Sequence, residues 1–225
     1  MNNKASHIGI IIDGNRRYAC KFSWQPWKGH EKGADTVENT IIWASELNLR
    51  MLSFYALSLE NLKRDKEEVN KLLEIFRIWL KKIKNDKRIK EKQIKIRFIG
   101  DLSLLPEDIQ EICHQLEKDT ENHNNLIINF CVAYGGRQEL TEAIKKLVEN
   151  KQEITEENIR KNLWLQDEPD LIIRTGNRTR TSNFLPWQSI YSEWIFLDKL
   201  WPEFTKEDLI SCLDKFSSVQ RNFGK

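Results

Sequence analysis

The stretch Ile8-Gly9-Ile10-Ile11-Ile12-Asp13-Gly14-Asn15-Arg16-Arg17 runs from an apolar segment into a carboxylate, a glycine and two arginines. The apolar part is too short and too rich in β-branched residues for a helix, so it reads as a strand buried on both faces, the kind that parallel sheets contain. In open parallel sheets ligands bind beyond the carboxyl ends of the strands. Gly14 lets backbone N–H groups approach an anion, and Arg16 and Arg17 bring charge, which predicts a strand end built to meet a phosphate. The same residues taken alone also fit a solvated polar turn.

Outward from this strand, helical and strand patterns alternate to the end of the chain. Ala34, Val37, Ile41 and Ala44 recur at helical spacing, Met51 to Tyr55 is a second apolar strand, and Val69, Leu72, Leu73, Phe76, Trp79, Leu80 and Ile83 make a wide stripe on a long amphipathic helix. Ile94 to Ile99, Leu126 to Val132 and Leu171 to Arg174 are further strands, with helices predicted after Pro106, after Gly135-Gly136, near Thr155 and after Thr205. The Thr205 to Asp208 spacing matches a capping box. This alternation predicts an α/β fold: one domain over residues 1–225, with a mostly parallel central sheet flanked by helices.

Composition narrows the function classes. The 225 residues are 40% hydrophobic, with eight tryptophans and ten phenylalanines, enough for a full core. A formal charge of +2 argues against a whole-chain electrostatic nucleic-acid binder. A local basic run, nine basic and two acidic residues from Lys81 to Arg97, raises nucleic acid or an anionic membrane as a partner, but charge runs of this length are usually a solvated face. No aromatics interleave it, so single-strand stacking is not supported. Cys20, Cys113, Cys131 and Cys212 form no paired motif, fall mostly within apolar stretches and read as buried reduced thiols, which fits a cytoplasmic location. Neither an export signal nor an apolar run of about 18 residues is visible.

Three strand ends share one chemistry: Asp13 to Arg17, Ser58 to Arg64, and Arg174-Thr175-Gly176 onward to Arg180-Thr181-Ser182-Asn183. In a parallel sheet all three lie on one rim, which would then hold an aspartate and several arginines, a composition suited to two polyanionic groups and a divalent metal. Neither the Walker spacing nor G-x-G-x-x-G is present, so nucleotide triphosphate hydrolysis loses ground. A phosphatase with Asp13 as nucleophile would want a second aspartate two residues on, where Asn15 stands.

These blocks resemble the cis-prenyltransferases, most of all bacterial undecaprenyl diphosphate synthases. The resemblance rests on His7-Ile8-Gly9-Ile10-Ile11-Ile12-Asp13-Gly14-Asn15, Gly29-His30 with Gly33, Tyr55-Ala56-Leu57-Ser58-Leu59-Glu60-Asn61, Ala133-Tyr134-Gly135-Gly136-Arg137, and Asp170-Leu171-Ile172-Ile173-Arg174-Thr175-Gly176. Ser182-Asn183-Phe184-Leu185, Trp187-Gln188, Glu193 and Leu200-Trp201-Pro202 complete it.

The resemblance implies magnesium-dependent condensation of isopentenyl diphosphate onto an allylic diphosphate, farnesyl diphosphate being the expected starter. The product is expected to be a medium-chain polyprenyl diphosphate near undecaprenyl, the lipid-carrier precursor for cell-wall glycan synthesis. It further implies a cytoplasmic homodimer in peripheral contact with the inner membrane surface, an apolar tunnel partly lined by the stripe from Val69 to Ile83, and no nucleic-acid partner. By the same resemblance the allylic diphosphate lies over Gly14, Asn15 and Arg17, His30 supports a phosphate, and Arg174, Arg180 and Ser182 hold isopentenyl diphosphate. Magnesium engages Asp13 and Glu193, and Asn61 assists proton removal beside Ser58 and Glu60. Arg16, Tyr18, Leu59, Arg64 and Thr181 are carried as further substrate-binding positions.

Several positions depart from the family pattern. Arg16 stands where glycine is usual, Tyr18 and Leu62 replace tryptophans, and Pro26 replaces an arginine whose charge Lys28 is placed to supply. Asn177 replaces a glycine, Thr179 a histidine, and Asn222 an arginine that reaches a partner subunit, with Arg221 adjacent. Two rival readings are a non-catalytic scaffold subunit, which would be degraded around Asp13-Gly14-Asn15, and RNA binding through the basic run.

Overall fold

The computed structural model describes residues 4–219. Strand β1 (His7–Ile11) is followed by helices α1 (Asn15–Lys21) and α2 (Pro26–Glu46), then β2 (Met51–Ser58), α3 (Lys66–Lys84) and α4 (Lys87–Glu91). Strand β3 (Ile94–Ile99), α5 (Glu107–Asp119), β4 (Leu126–Tyr134), α6 (Gly136–Glu149) and α7 (Glu156–Asn162) come next, followed by β5 (Leu171–Arg174), β6 (Glu193–Phe196) and α8 (Lys206–Ser217). The six strands form one sheet in the order β3-β4-β2-β1-β5-β6, and every pairing is parallel.

All five residues of β1 are buried, as expected for a strand covered on both faces. On one face Ile8, Ile10, Leu52, Phe54, Ile96, Ile128 and Phe130 pack with α2, α3, α5 and α8, through Val37, Ile41, Trp79, Leu80, Ile109, Leu209 and Phe216. On the other, Ile11, Tyr55, Cys131 and Ile172 pack against Leu165, Phe184 and Leu185. Successive strand side chains point to opposite faces, so this single sheet fills two cores.

The capping box at Thr205 is present, with the Thr205 hydroxyl accepting from the Asp208 N–H and the Asp208 carboxylate accepting from the Thr205 N–H. The sequence reading missed α1, α4 and β6. Strand β6 was hidden because only four residues, Glu193-Trp194-Ile195-Phe196, follow a polar turn. The short helix α1 lacks an apolar stripe, since it buries only Asn15 and Ala19; Cys20 on it is exposed, against the expectation of burial that Cys113, Cys131 and Cys212 meet. No helix among the described residues is long and apolar enough to cross a membrane.

Candidate active site

Register sets the site. Ile11 of β1 lies opposite Tyr55 of β2 and Arg174 of β5, so the chain leaving β1 delivers Asp13 beside the guanidinium of Arg174. The turn at Gly14 has φ +118°, a region that L side chains rarely adopt, and a Cβ there would lie 3.0 Å from Leu200. The Asp13 carbonyl accepts from the Thr175 hydroxyl at 2.7 Å and from the Trp201 N–H at 3.0 Å, which fixes the corner from β5 and from the segment before α8.

Asp13 is the hub. Its carboxylate accepts from Arg174 Nη2 at 2.9 Å and from Arg17 Nη2 at 3.2 Å, with the Asp13 side chain 29% exposed and that of Arg174 only 3%. Arg174 Nη1 also donates to Ser182 Oγ at 2.7 Å and to the Arg180 carbonyl, while its Nε is buried without a partner. The loop it grips carries positive φ at Ser182 (51°), Asn183 (64°) and Leu185 (47°). Backbone strain of this kind persists only where surrounding contacts over-determine it. One buried guanidinium therefore ties the metal-candidate aspartate to the loop bearing Arg180 and Ser182.

Helix α2 closes against α1 through Gly29 and Gly33: a Cβ on Gly29 would fall 1.9 Å from the Asn15 carbonyl, and one on Gly33 2.3 Å from Asn15 Oδ1. Asn15 is thereby buried, donating to the Ile12 carbonyl at 3.3 Å. On the same helix His30 has a buried, unpartnered Nε2. Burial, and then the nearby Arg64, lower its pKa to about 4, so the ring is neutral at physiological pH and can donate a hydrogen bond without bringing charge. Glu68 accepts from Arg64 at 2.8 Å and pairs more loosely with Arg16 at 3.7 Å.

These groups surround a cavity of about 920 Å³. Arg16, Arg17, Arg64, Arg174 and Arg180 line its polar part, with Asp13, Glu60, His30, Ser58, Asn61 and Ser182. Its deeper wall is apolar: Ala34 and Val37 of α2, Leu72, Ile75, Phe76 and Trp79 of α3, and Leu57 and Phe130 of the sheet. Of the α3 stripe, Leu72, Phe76 and Trp79 stand at the cavity wall, whereas Leu80 and Ile83 belong to the core. Val37 and Phe130 were missed as lining residues, because a helical or strand pattern marks a residue as buried without saying whether it faces a neighbour or a void.

Several expected positions fall elsewhere. Tyr18 is not part of the cavity wall and packs on Phe22 and Trp24. Leu59 turns its side chain toward Gly135, and Thr181 stands exposed outside the lining. Lys28 bonds Glu31 at 2.8 Å instead of supplying charge to the site. Glu193 opens β6 opposite Leu171, three residues before the Arg174–Phe196 level, about 10 Å down the sheet at ~3.3 Å per residue. Within one protomer it cannot share an ion with Asp13. Asn61 Oδ1 accepts from the Ser58 N–H at 3.2 Å and its own N–H donates to Ser58 Oγ at 3.2 Å, which leaves the amide NH₂, a donor, as its unbonded group. Asn177 takes the left-handed conformation (φ 49°) of the glycine it replaces, which asparagine tolerates. Arg221 and Asn222 lie outside the described residues.

Among the described residues no group of three or more His, Cys, Asp or Glu side chains could hold a metal ion. A carboxylate held among arginines, as Asp13 is, nevertheless has the chemistry that suits magnesium, which is commonly bound by one or two carboxylates together with substrate phosphate oxygens.

Known proteins resemble this chain over nearly its whole length. Residues 11–224 match a family model described as putative undecaprenyl diphosphate synthase. The chain is 40% identical over 228 residues to a tritrans,polycis-undecaprenyl-diphosphate synthase (geranylgeranyl-diphosphate specific) of Pyrococcus furiosus, covering 97% of this chain and 86% of that protein. It is 41% identical over 230 residues to the protein of that description from Thermoplasma acidophilum, covering 97% and 88%. Among solved structures, lavandulyl diphosphate synthase from Lavandula x intermedia, in complex with dimethylallyl diphosphate, superposes with a TM-score of 0.93 at 32% identity over 99% of both chains. A probable undecaprenyl diphosphate synthase from Campylobacter jejuni gives 0.85 at 33% identity, covering 99% of this chain and 100% of that one.

Proposed function

The chain belongs to the cis-prenyltransferase family, and on that premise we propose that it condenses isopentenyl diphosphate sequentially onto an allylic diphosphate to give a medium-chain polyprenyl diphosphate. The observation that carries this reading is the continuity of the cavity, from a rim of five arginines into an apolar wall about α2 and α3. A diphosphate at the rim and a growing hydrocarbon beyond it are the two halves of such a substrate. The archaeal relatives' specificity favours a C20 allylic starter over the C15 starter expected from the sequence.

In this reading the diphosphate leaves the allylic carbon with the bonding electron pair, the isopentenyl double bond supplies the electrons of the new C–C bond, and a proton is lost to restore a double bond. Charge develops on the leaving oxygens, and Arg17, Arg64, Arg16 and the neutral His30 are preorganised to stabilise it. Arg174, Arg180 and Ser182 orient the second diphosphate. Asp13 would hold magnesium together with substrate oxygens, and the ion would supply further charge neutralisation there. Asn61, with its oxygen already bonded, positions the loop after β2; a departing diphosphate oxygen is the better proton acceptor. Glu193 would reach that ion only from a second copy of the chain, which is the role we assign to a homodimer.

The test is starter choice. Purified protein is given labelled isopentenyl diphosphate, magnesium and either a C15 or a C20 allylic diphosphate, and the extracted product is sized. The reading predicts long labelled products with Z double bonds and a higher kcat/KM for the C20 starter. A single condensation that stops at a short branched product would contradict it.

A further inference from the structure

We propose that the corner between α1 and α2 docks on the surface of an anionic lipid bilayer, with Phe22 and Trp24 entering the interfacial layer. Every residue from Cys20 to Gln25 is exposed, yet the corner is not loose: the Phe22 and Trp24 N–H groups both donate to the Ala19 carbonyl, and the Ser23 N–H donates to that of Cys20. On this tied turn Phe22 is 49% and Trp24 42% exposed, stacked on each other with ring centroids 4.7 Å apart, and Tyr18 braces Phe22 at 5.1 Å. Two large aromatics held rigidly in water lose little side-chain freedom on binding, and tryptophan favours the headgroup layer, where one end of the ring is apolar and the other wet.

Charge and position select lipid as the occupant. From Gly14 to His30 the chain has four basic residues and no acidic one. Lys21 and Lys28 pair with Glu203 and Glu31 in exposed bridges, which hold weakly and exchange readily for lipid phosphates. Arg16, Arg17 and Cys20, on the helix that ends at this corner, line the substrate cavity. The corner therefore sits beside the cavity from which, on the function proposed above, an apolar product must leave. The basic run from Lys81 to Arg97 spans the end of α3, α4 and the first residues of β3, and so begins at the opposite end of the parallel sheet. A flat bilayer cannot meet both.

The experiment is co-sedimentation of the purified full chain with vesicles of phosphatidylglycerol and phosphatidylcholine, and with phosphatidylcholine alone. Wild type is expected to bind the anionic vesicles preferentially. F22S/W24S should bind them on the order of a hundredfold more weakly, about tenfold for each aromatic withdrawn from an apolar layer, while K87Q/K90Q binds within about twofold of wild type. Brominated acyl chains should quench wild-type fluorescence more than that of W24F. A circular dichroism spectrum and urea midpoint of F22S/W24S equal to those of wild type confirm its fold. Equal vesicle binding by F22S/W24S and wild type, loss of binding in K87Q/K90Q instead, or a change in oligomeric state in place of vesicle binding would each overturn the proposal. The readout needs no catalysis, so a chain that docks but makes no polyprenyl product would defeat the proposed function alone.

Discussion

Two carboxylates show how differently this fold treats a buried polar centre. Glu139 of α6 is 1% exposed and accepts from the Tyr134 hydroxyl, the Leu165 N–H at 2.9 Å and the Gln188 amide at 3.1 Å, all uncharged donors; burial raises its pKa. Asp13 is partly open and accepts from two guanidiniums that also face a cavity. The first centre fastens α6 to the segments around Leu165 and Gln188. The second holds cations whose donors a polyanion can recruit. The histidines repeat the contrast: burial lowers His7 and His30 alike to about 4, yet His7 Nε2 bonds Ser53 Oγ at 2.7 Å inside the sheet whereas His30 Nε2 has no protein partner. Equal burial thus separates nothing, while unspent hydrogen-bonding capacity facing a cavity does.

Apart from Asp13 itself, the largest expected effect is on turnover at the open centre. Arg174→Lys keeps the charge but loses the planar fork that binds Asp13, Ser182 and the Arg180 carbonyl at once, and should lower kcat/KM on the order of a hundredfold in steady-state assays. Glu139→Gln should do the reverse, costing about 1–3 kcal/mol in denaturant unfolding with kcat nearly unchanged. A Glu139→Gln protein of full stability and no turnover would break the comparison.

His30→Asn should raise KM for the allylic diphosphate about tenfold, the scale of one or two hydrogen bonds, and leave unfolding free energy nearly constant at pH 7. His7→Asn should cost stability without moving KM. Acid sharpens the same pair. A histidine whose folded pKa is about 4 binds fewer protons folded than unfolded between that value and the ordinary 6.5, so its stability contribution is full above 6.5 and is lost as pH falls toward 4. Each accounts for a loss of up to about 3 kcal/mol as pH falls from 6.5 to 4, at 1.36 kcal/mol per unit, and for almost none at pH 7. Replacing either ring should remove about half of the histidine-linked acid sensitivity in pH-dependent urea unfolding.

The smallest effect concerns the cavity floor. Trp79 is 7% exposed and buries an unpartnered Nε1 at the cavity wall, beside Phe76 and Phe130. Trp79→Leu should lengthen the product by about one or two isoprene units as room opens, with kcat changed only a few-fold. An unchanged product ladder would show that the wall at Trp79 does not limit growth.

Much of the fold is legible in the sequence because buried parallel strands are continuous apolar runs and each ends in a change of composition. Asp13 and Arg174 are legible for the same reason, as charges placed where such runs stop. Glu193 misleads: its strand is four residues long, and only the β5–β6 register reveals that it stands at the other rim. Asn61 misleads because residue type cannot show which of its atoms Ser58 already holds. Composition only counts Phe22 and Trp24 among the aromatics available for a core, and the tied turn after α1 shows them facing solvent.

Asp13 tests the account most directly. Wild type, Asp13→Asn and Glu139→Gln are compared at equal folded concentration with labelled isopentenyl diphosphate, a C20 allylic diphosphate and magnesium, and labelled polyprenyl product is counted. The account predicts product from wild type and Glu139→Gln, and a loss on the order of a thousandfold in Asp13→Asn. Product formation in Asp13→Asn at the wild-type rate would contradict it.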